Sequence, residues 1–441
     1  MGLRGARVAT VATAVMVLAS GWGAAASRAD TTGVYYDAAK NVGAGPNPFN
    51  ATYTGFENIG VGVEPMKALT DGAYNIGIAT RAMPQLTSGR YNVGIGAYSL
   101  DALTTGFYNV ALGASALTHT MGGYSNTALG DAALASNTTG GSNVAVGHAA
   151  LLSSTSQSGQ VAIGTDALQG NKFGQGNLAI GSQALKNGER GSNNVAIGAQ
   201  TLQDSDGGDG NVATGYAALR SNTTGDGNVA SGQGALGSNT TGSRNVASGN
   251  GALGSNTTGA DNAASGDRAM QNNTAGLDNV AMGSSALVAN TIGDHNVAIG
   301  THSVQTVKGG YENTGIGWYS LSRATGVRNI GIGTRAGTFL TSGSDNIDIG
   351  HLGVAGEAAT IRIGTQGRHL ATYLAGVSGA SVPGPTKTVV VNSSGKLGTT
   401  TTAPPSAAEV QTLRVRLAEQ RRALARQQRE IEELRRLVLG R

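Results

Sequence analysis

The sequence predicts an all-β solenoid followed by a short α-helical coiled coil. Three observations carry this: a strict 17-residue period, a short strand at a fixed phase of that period, and a final segment that exchanges glycine for a leucine heptad. The composition fits a thin, repetitive fold. Of 441 residues 71 are Gly, 8 are Pro and none is Cys, while aromatic residues make 4% and charged residues 13%. Gly well below one third with little Pro excludes collagen, and a 39% hydrophobic content exceeds what a disordered chain carries. The lack of Cys removes disulfides, thiolate metal sites and thiol nucleophiles together.

Residues 1–29 read as a signal peptide: Arg4 and Arg7, an apolar run from Val8 to Ala19, then small residues ending at Ser27-Arg28-Ala29. Cleavage is expected before Asp30, or after Ala26 by the same small-residue rule; an N-terminal anchor is the alternative, with an apolar run short of the ~20 residues a span needs. The formal charge is +4, and without the three leader arginines 27 basic residues face 26 acidic ones. Nucleic acid is therefore not an expected partner. The high isoelectric point comes from residues 409–441, where nine Arg meet five Glu, and the remaining body stands at −3.

Residues 30–40 are expected to cap the array and 41–364 to form it. The repeat runs in steps of 17 from Asn41 to Asn313, with Gln160 in register once, and adds copies at Asn329 and Asn346, nineteen in all. With that Asn as position zero, +4 is Gly in every copy but Ala79, and −3 is Gly in every copy but Ala38 and Gln157. Position +8 is large and apolar except at Gly337, and +2 is Ala or Gly except at Asp348. Positions +1 and +3 are mostly β-branched or aliphatic, as in Val195/Ile197 and Val297/Ile299, which is strand alternation. The glycines are expected at tight corners, and the Asn in a stacked ladder.

The side chains at +1 and +3 are expected to face inward with the +8 column, leaving +2 as a smooth outer strip where three chains meet around an axis. On that expectation the polar +3 run Thr214, Ser231, Ser248 and Ser265 lies inside and weakens its segment.

The pattern N-V-A-I-G-x-x-A-L-x-x-N-T-T-G, nearly whole at Asn143–His148, Asn194–Gly198 and Asn222–Gly225, resembles the YadA-like head repeats of trimeric autotransporter adhesins and the repeats of phage tail-fibre proteins. It covers about residues 38–364. The resemblance implies a left-handed parallel β-roll, trimerised along its length. Thr372–Val377 and Val389–Thr399, within an expected connector over 365–405, look like the segment preceding a chaperone domain in tail-fibre relatives. Neither that domain nor amphipathic anchor strands ending in an aromatic residue are apparent in the sequence.

Residues 406–441 are expected to form the coiled coil, capped by Ser406 with Glu409. Val410, Leu417, Leu424, Ile431 and Val438 recur every seven residues, interleaved by Leu413, Gln420, Gln427 and Leu434. The alternative is an amphipathic helix that brings its arginines to a membrane or lipopolysaccharide.

No catalytic, cofactor-binding or metal-ligating set is expected. The six His fall in variable corners without ligand spacing, and neither a nucleophile elbow nor a phosphate loop occurs. Asp204, Asp206 and Asp209 crowd one turn that could hold calcium, but lack the closing Glu of an EF-hand loop. The expected role is a secreted or cell-surface, non-enzymatic homotrimeric fibre that binds a host or environmental glycan or protein, or acts as a spacer. A tail fibre recognising surface glycan is the alternative. An ice-binding solenoid rests only on the paired threonines Thr223-Thr224, Thr240-Thr241 and Thr257-Thr258.

If the leader is processed, N-terminal sequencing of the secreted protein returns Asp30 or a close neighbour; Met1 from a soluble cytoplasmic fraction defeats the export expectation.

Overall fold

The computed structural model describes residues 33–374, 389–399 and 407–440. The leader and the Ser406 cap lie outside the described residues. The chain divides into two compact units, one ending at Gly364 and one spanning Thr365–Arg441.

The first unit is a β-solenoid. Three-residue strands run from β1 (Val34–Tyr36) and β2 (Val42–Ala44) through β20 (Ile347–Ile349) to β21 (Ile361–Ile363), and form one 21-stranded sheet. Each strand from β2 onward pairs in parallel with the next in sequence, so Val195 lies beside Val212 and Ala196 beside Ala213. Only β1 is antiparallel, to β2. Tyr35 of β1 lies over Gly43 and packs edge-on to Phe49, which contacts Tyr53, so aromatic rings close the first coil.

The repeated Asn is fully buried and joins the coils. Asn58 donates its backbone N–H to Asn41 Oδ1 at 2.8 Å and its amide Nδ2 to the same oxygen at 3.0 Å. It also donates to the carbonyl of Gly72, 2.9 Å away in the following coil. The pattern recurs along the array, for example at Asn245, and Gln160 keeps the backbone and carbonyl contacts with its longer side chain. A second ladder starts at Asn222, whose Oδ1 accepts from Asn239, followed by Asn256, Asn273 and Asn290 at 2.7–2.8 Å.

Both glycine columns have distinct steric reasons. At +4 the backbone is left-handed, with Gly96 at φ +135° and even Ala79 at +110°. At −3 the limit is approach: a Cβ on Gly106 would stand 2.4 Å from the carbonyl oxygen of Gly123. Less legible from sequence are the bulky left-handed residues. Leu100, Leu117 and Leu134 at +8 have φ of 52–53°, held by hydrogen bonds such as Leu117 N–H to the Ala133 carbonyl at 3.0 Å.

The structure reverses the expected orientation of the strand. Ala111, Ala145, Ala196 and Ala298 at +2 are fully buried, facing the +8 leucines, while +1 and +3 point outward and are partly or largely exposed. The reason is the narrowness of the coil. A Cβ on Gly94 would already lie 3.2 Å from Met83 Cγ and one on Gly331 2.8 Å from Leu321 Cγ, so the wall opposite leaves room for Ala at most. Leucine therefore fills the interior from one wall only, each buried side chain contributing about 1.5–3 kcal/mol. The hydroxyl column Thr214, Ser231, Ser248 and Ser265 accordingly lies outside, and the interior of that segment holds the second Asn ladder instead of unpaired hydroxyls.

In the second unit, β22 (Val389–Val391) and β23 (Leu397–Thr399) form an antiparallel hairpin, with Asn392 accepting from Ser394 and Lys396 backbone N–H groups across the turn. Helix α1 spans Ala407–Leu439, and its heptad residues Leu413, Leu417, Leu424, Ile431 and Leu434 are exposed.

Ala196→Leu and Ala298→Leu are expected to destabilise each coil by about 1–3 kcal/mol through overpacking. Ala199→Leu, at the partly exposed +5 corner, is expected to leave the melt nearly unchanged. Equal melting of all three variants would contradict the narrow interior. Asn245→Ala leaves Asn228 Oδ1 without its donated amide and is expected to cost about 1–3 kcal/mol in the same melts.

Candidate interaction surface

Because +1 and +3 face outward, the sheet presents an aliphatic band over nineteen successive strands, β2–β20. At a strand spacing of about 4.8 Å the band is about 90 Å long. Leu112 is 44% exposed, Val246 46% and Met282 51%, values that ordinary core strands do not reach. A contiguous apolar surface of this extent marks a contact site on a soluble protein. Thr214, Ser231, Ser248 and Ser265 interrupt its +3 row, and Thr214 Oγ1 donates to Ser231 Oγ at 3.2 Å.

Beside the band runs the −1 column, whose left-handed backbone turns each side chain out to water. Tyr74, Tyr91 and Tyr108 stack there with ring centroids 4.8 and 4.9 Å apart. Farther along, the same column carries charges of both signs. Arg244 holds Asp261 through two bonds of 2.7 Å, and Arg328 holds Asp345 at 2.6 and 3.0 Å. Hydrogen bonding to the guanidinium keeps Asp261 and Asp345 below the ordinary carboxylate range and raises Arg244 and Arg328. The pairs are exposed, so they serve coil register more than stability.

Among the described residues, the aspartate turn and the threonine pairs do not gather into a site. Asp204 Oδ1 accepts from Asn187 Nδ2 at 2.8 Å, Asp209 Oδ1 accepts the Ser192 N–H at 2.7 Å, and Asp206 sits 3.8 Å from Arg190. The three carboxylates are thus engaged in separate contacts between coils. Among the described residues no group of three or more His, Asp or Glu is placed to hold a metal ion. The first threonine of each pair is also spent structurally: Thr223, Thr240 and Thr257 each donate Oγ1 to a carbonyl of the next coil at 2.9 Å. Only Thr224, Thr241 and Thr258 keep fully outward positions.

Among the described residues no helix is long and apolar enough to cross a membrane. Two further features escaped the sequence reading: the second buried Asn ladder, and the buried carboxylate of Asp348 in β20. The N-T-T-G string carried the first, and the lone departure from Ala or Gly at +2 carried the second. No family model matches the chain, and no curated protein matches it.

Proposed function

We propose that the protein is an exported, non-enzymatic, homotrimeric fibre that acts as a surface adhesin or binding spacer. The observation that carries this reading is the outward aliphatic band, which a single chain leaves in water along the whole solenoid. Three copies turning their bands to a common axis remove it from solvent, and the identical repeat on each copy gives every coil the same partner at the same height. The inversion of the strand changes the contact but keeps the assembly: aliphatic +1 and +3 residues meet at the axis, and the small +2 residues serve each protomer's own core.

Helix α1 supports the same stoichiometry. Its exposed heptad side chains need partner helices, and the Gln420 and Gln427 layers favour register at some cost in stability. The resemblance of the repeat to YadA-like heads supports a left-handed sense and an adhesive role for the fibre. The outer face of such a trimer consists of corner residues, and there a glycan or protein ligand would be met. A tail-fibre role is the second reading, and the antiparallel β22–β23 hairpin in the connector favours it. Ice binding loses ground because half of the threonine hydroxyls are committed to backbone carbonyls.

Light scattering of the secreted protein is expected to give three times the chain mass. The paired substitution Val195→Glu and Ile197→Glu places two carboxylates on the band with no change inside the coil. It is expected to lower trimer content sharply while the β-sheet circular dichroism persists. A wild-type monomer, or a double variant that trimerises as well as wild type, overturns the shared-axis reading.

A further inference from the structure

The last two coils each depart from the repeat at one position, and the fold brings the two departures together. Asp348 occupies +2 of β20, where eighteen other coils have Ala or Gly, and Gly337 occupies +8 of the coil before it, where the others have a large apolar residue. The glycine provides the room that the carboxylate needs. A Cβ on Gly337 would stand 3.4 Å from Asp348 Oδ2 and 2.5 Å from Leu321 Cδ2, and one on Gly353 would stand 2.9 Å from the same carboxylate oxygen. Asp348 is 1% exposed, and neither of its oxygens has a hydrogen-bond partner among the described residues.

The charged surroundings do not neutralise it. In register beside Asp348 lies Arg362 of β21, but its guanidinium is taken by Glu357, at 2.7 Å from Nη2 and 2.9–3.0 Å from Nε. On its own coil His351 brings Nδ1 to 3.4 Å from Oδ1, yet that nitrogen already accepts the Gly353 N–H at 2.9 Å. Two acceptors thus face each other, a contact relieved when the carboxyl carries a proton. The two preceding coils turn Leu321 and Leu340 toward the site, while Arg335 is exposed and Arg328 pairs with Asp345 at the surface.

We propose that Asp348 makes the C-terminal end of the solenoid an acid-set latch, seated when its carboxyl is protonated and loosened over 347–363 when it ionises. Burial, reinforced by the Glu357 carboxylate and opposed by Arg362, pushes the Asp348 pKa up to about 6. The seated coil therefore binds the proton more tightly than the opened one. Its contribution is fully present below about pH 4, the ordinary Asp value, and is lost as pH rises through about 6. His351 moves the opposite way, lowered by burial and by Arg362.

Hydrogen–deuterium exchange on the full-length protein tests the latch. Peptides over 347–363 are compared with an internal reference over 143–163, at pH 5 and pH 7.5, each normalised to the intrinsic exchange rate. The protection of the end relative to the reference is expected to fall about tenfold between the two values. Asp348→Ala, which restores the repeat, is expected to abolish the step, and His351→Asn to retain it. Where the alanine variant leaves the end unprotected at both values, Asp348→Asn decides: a flat profile supports the latch and a persisting step overturns it. A wild-type ratio independent of pH, a step that survives in Asp348→Ala, or one that vanishes only with His351→Asn overturns the proposal.

Discussion

Everything in the solenoid depends on the buried Asn column. Along most of the array the amide oxygen accepts the backbone N–H of the equivalent residue one coil on, and the amide nitrogen reaches a carbonyl of the following coil, in most coils that of a glycine. A buried amide left unpaired costs about 1–3 kcal/mol, so a slip of one residue at any coil carries a penalty at two interfaces. This fixes the 17-residue period more strictly than apolar packing could, since a stack of leucines tolerates small shifts. The exception at Gln160 follows the same logic, because its amide makes the same backbone contacts from a chain one methylene longer.

With register fixed, the coil's narrowness distributes the side chains. One wall holds the +8 column and the facing strand can offer only Ala or Gly, so each protomer's core is thin. The large aliphatic residues that a thicker fold would bury are turned outside, where they form a surface too long to remain in water. The proposed fibre would bury that surface between copies, and this reading grows from the same steric limit that shaped the coil. The ends show the limit from another side. Aromatic rings of Tyr35, Phe49 and Tyr53 close the first coil, whereas an Arg362–Glu357 pair and the Asp348 carboxyl close the last.

The corners account for what looked like chemistry in the sequence. Carboxylates at Asp204 and Asp209, hydroxyls at Thr223 and Thr240, and ion pairs such as Arg244–Asp261 all bond from one coil to the next. In a repeat these groups recur at one height per coil and find their partners 17 residues away. Their spacing in the sequence therefore overstates their independence as candidate sites.

The sequence by itself determined the period, the short strand, both glycine corners, the +8 core column, the stacked Asn and the C-terminal helix. These are local or periodic properties, written in which residue types recur at a given phase. It also held the two departures at Gly337 and Asp348, though only as isolated exceptions. The tertiary structure alone decided which strand face is inside. Alternation with period two states that the faces differ, and burial preference favours valine over alanine, so the sequence pointed to the wrong face. The deciding quantity is the gap between facing walls of one coil, set by backbone turns in which leucines adopt left-handed dihedrals. No single-residue preference encodes that gap. The same gap places Gly337 against Asp348, joining two exceptions eleven residues apart into one buried carboxylate.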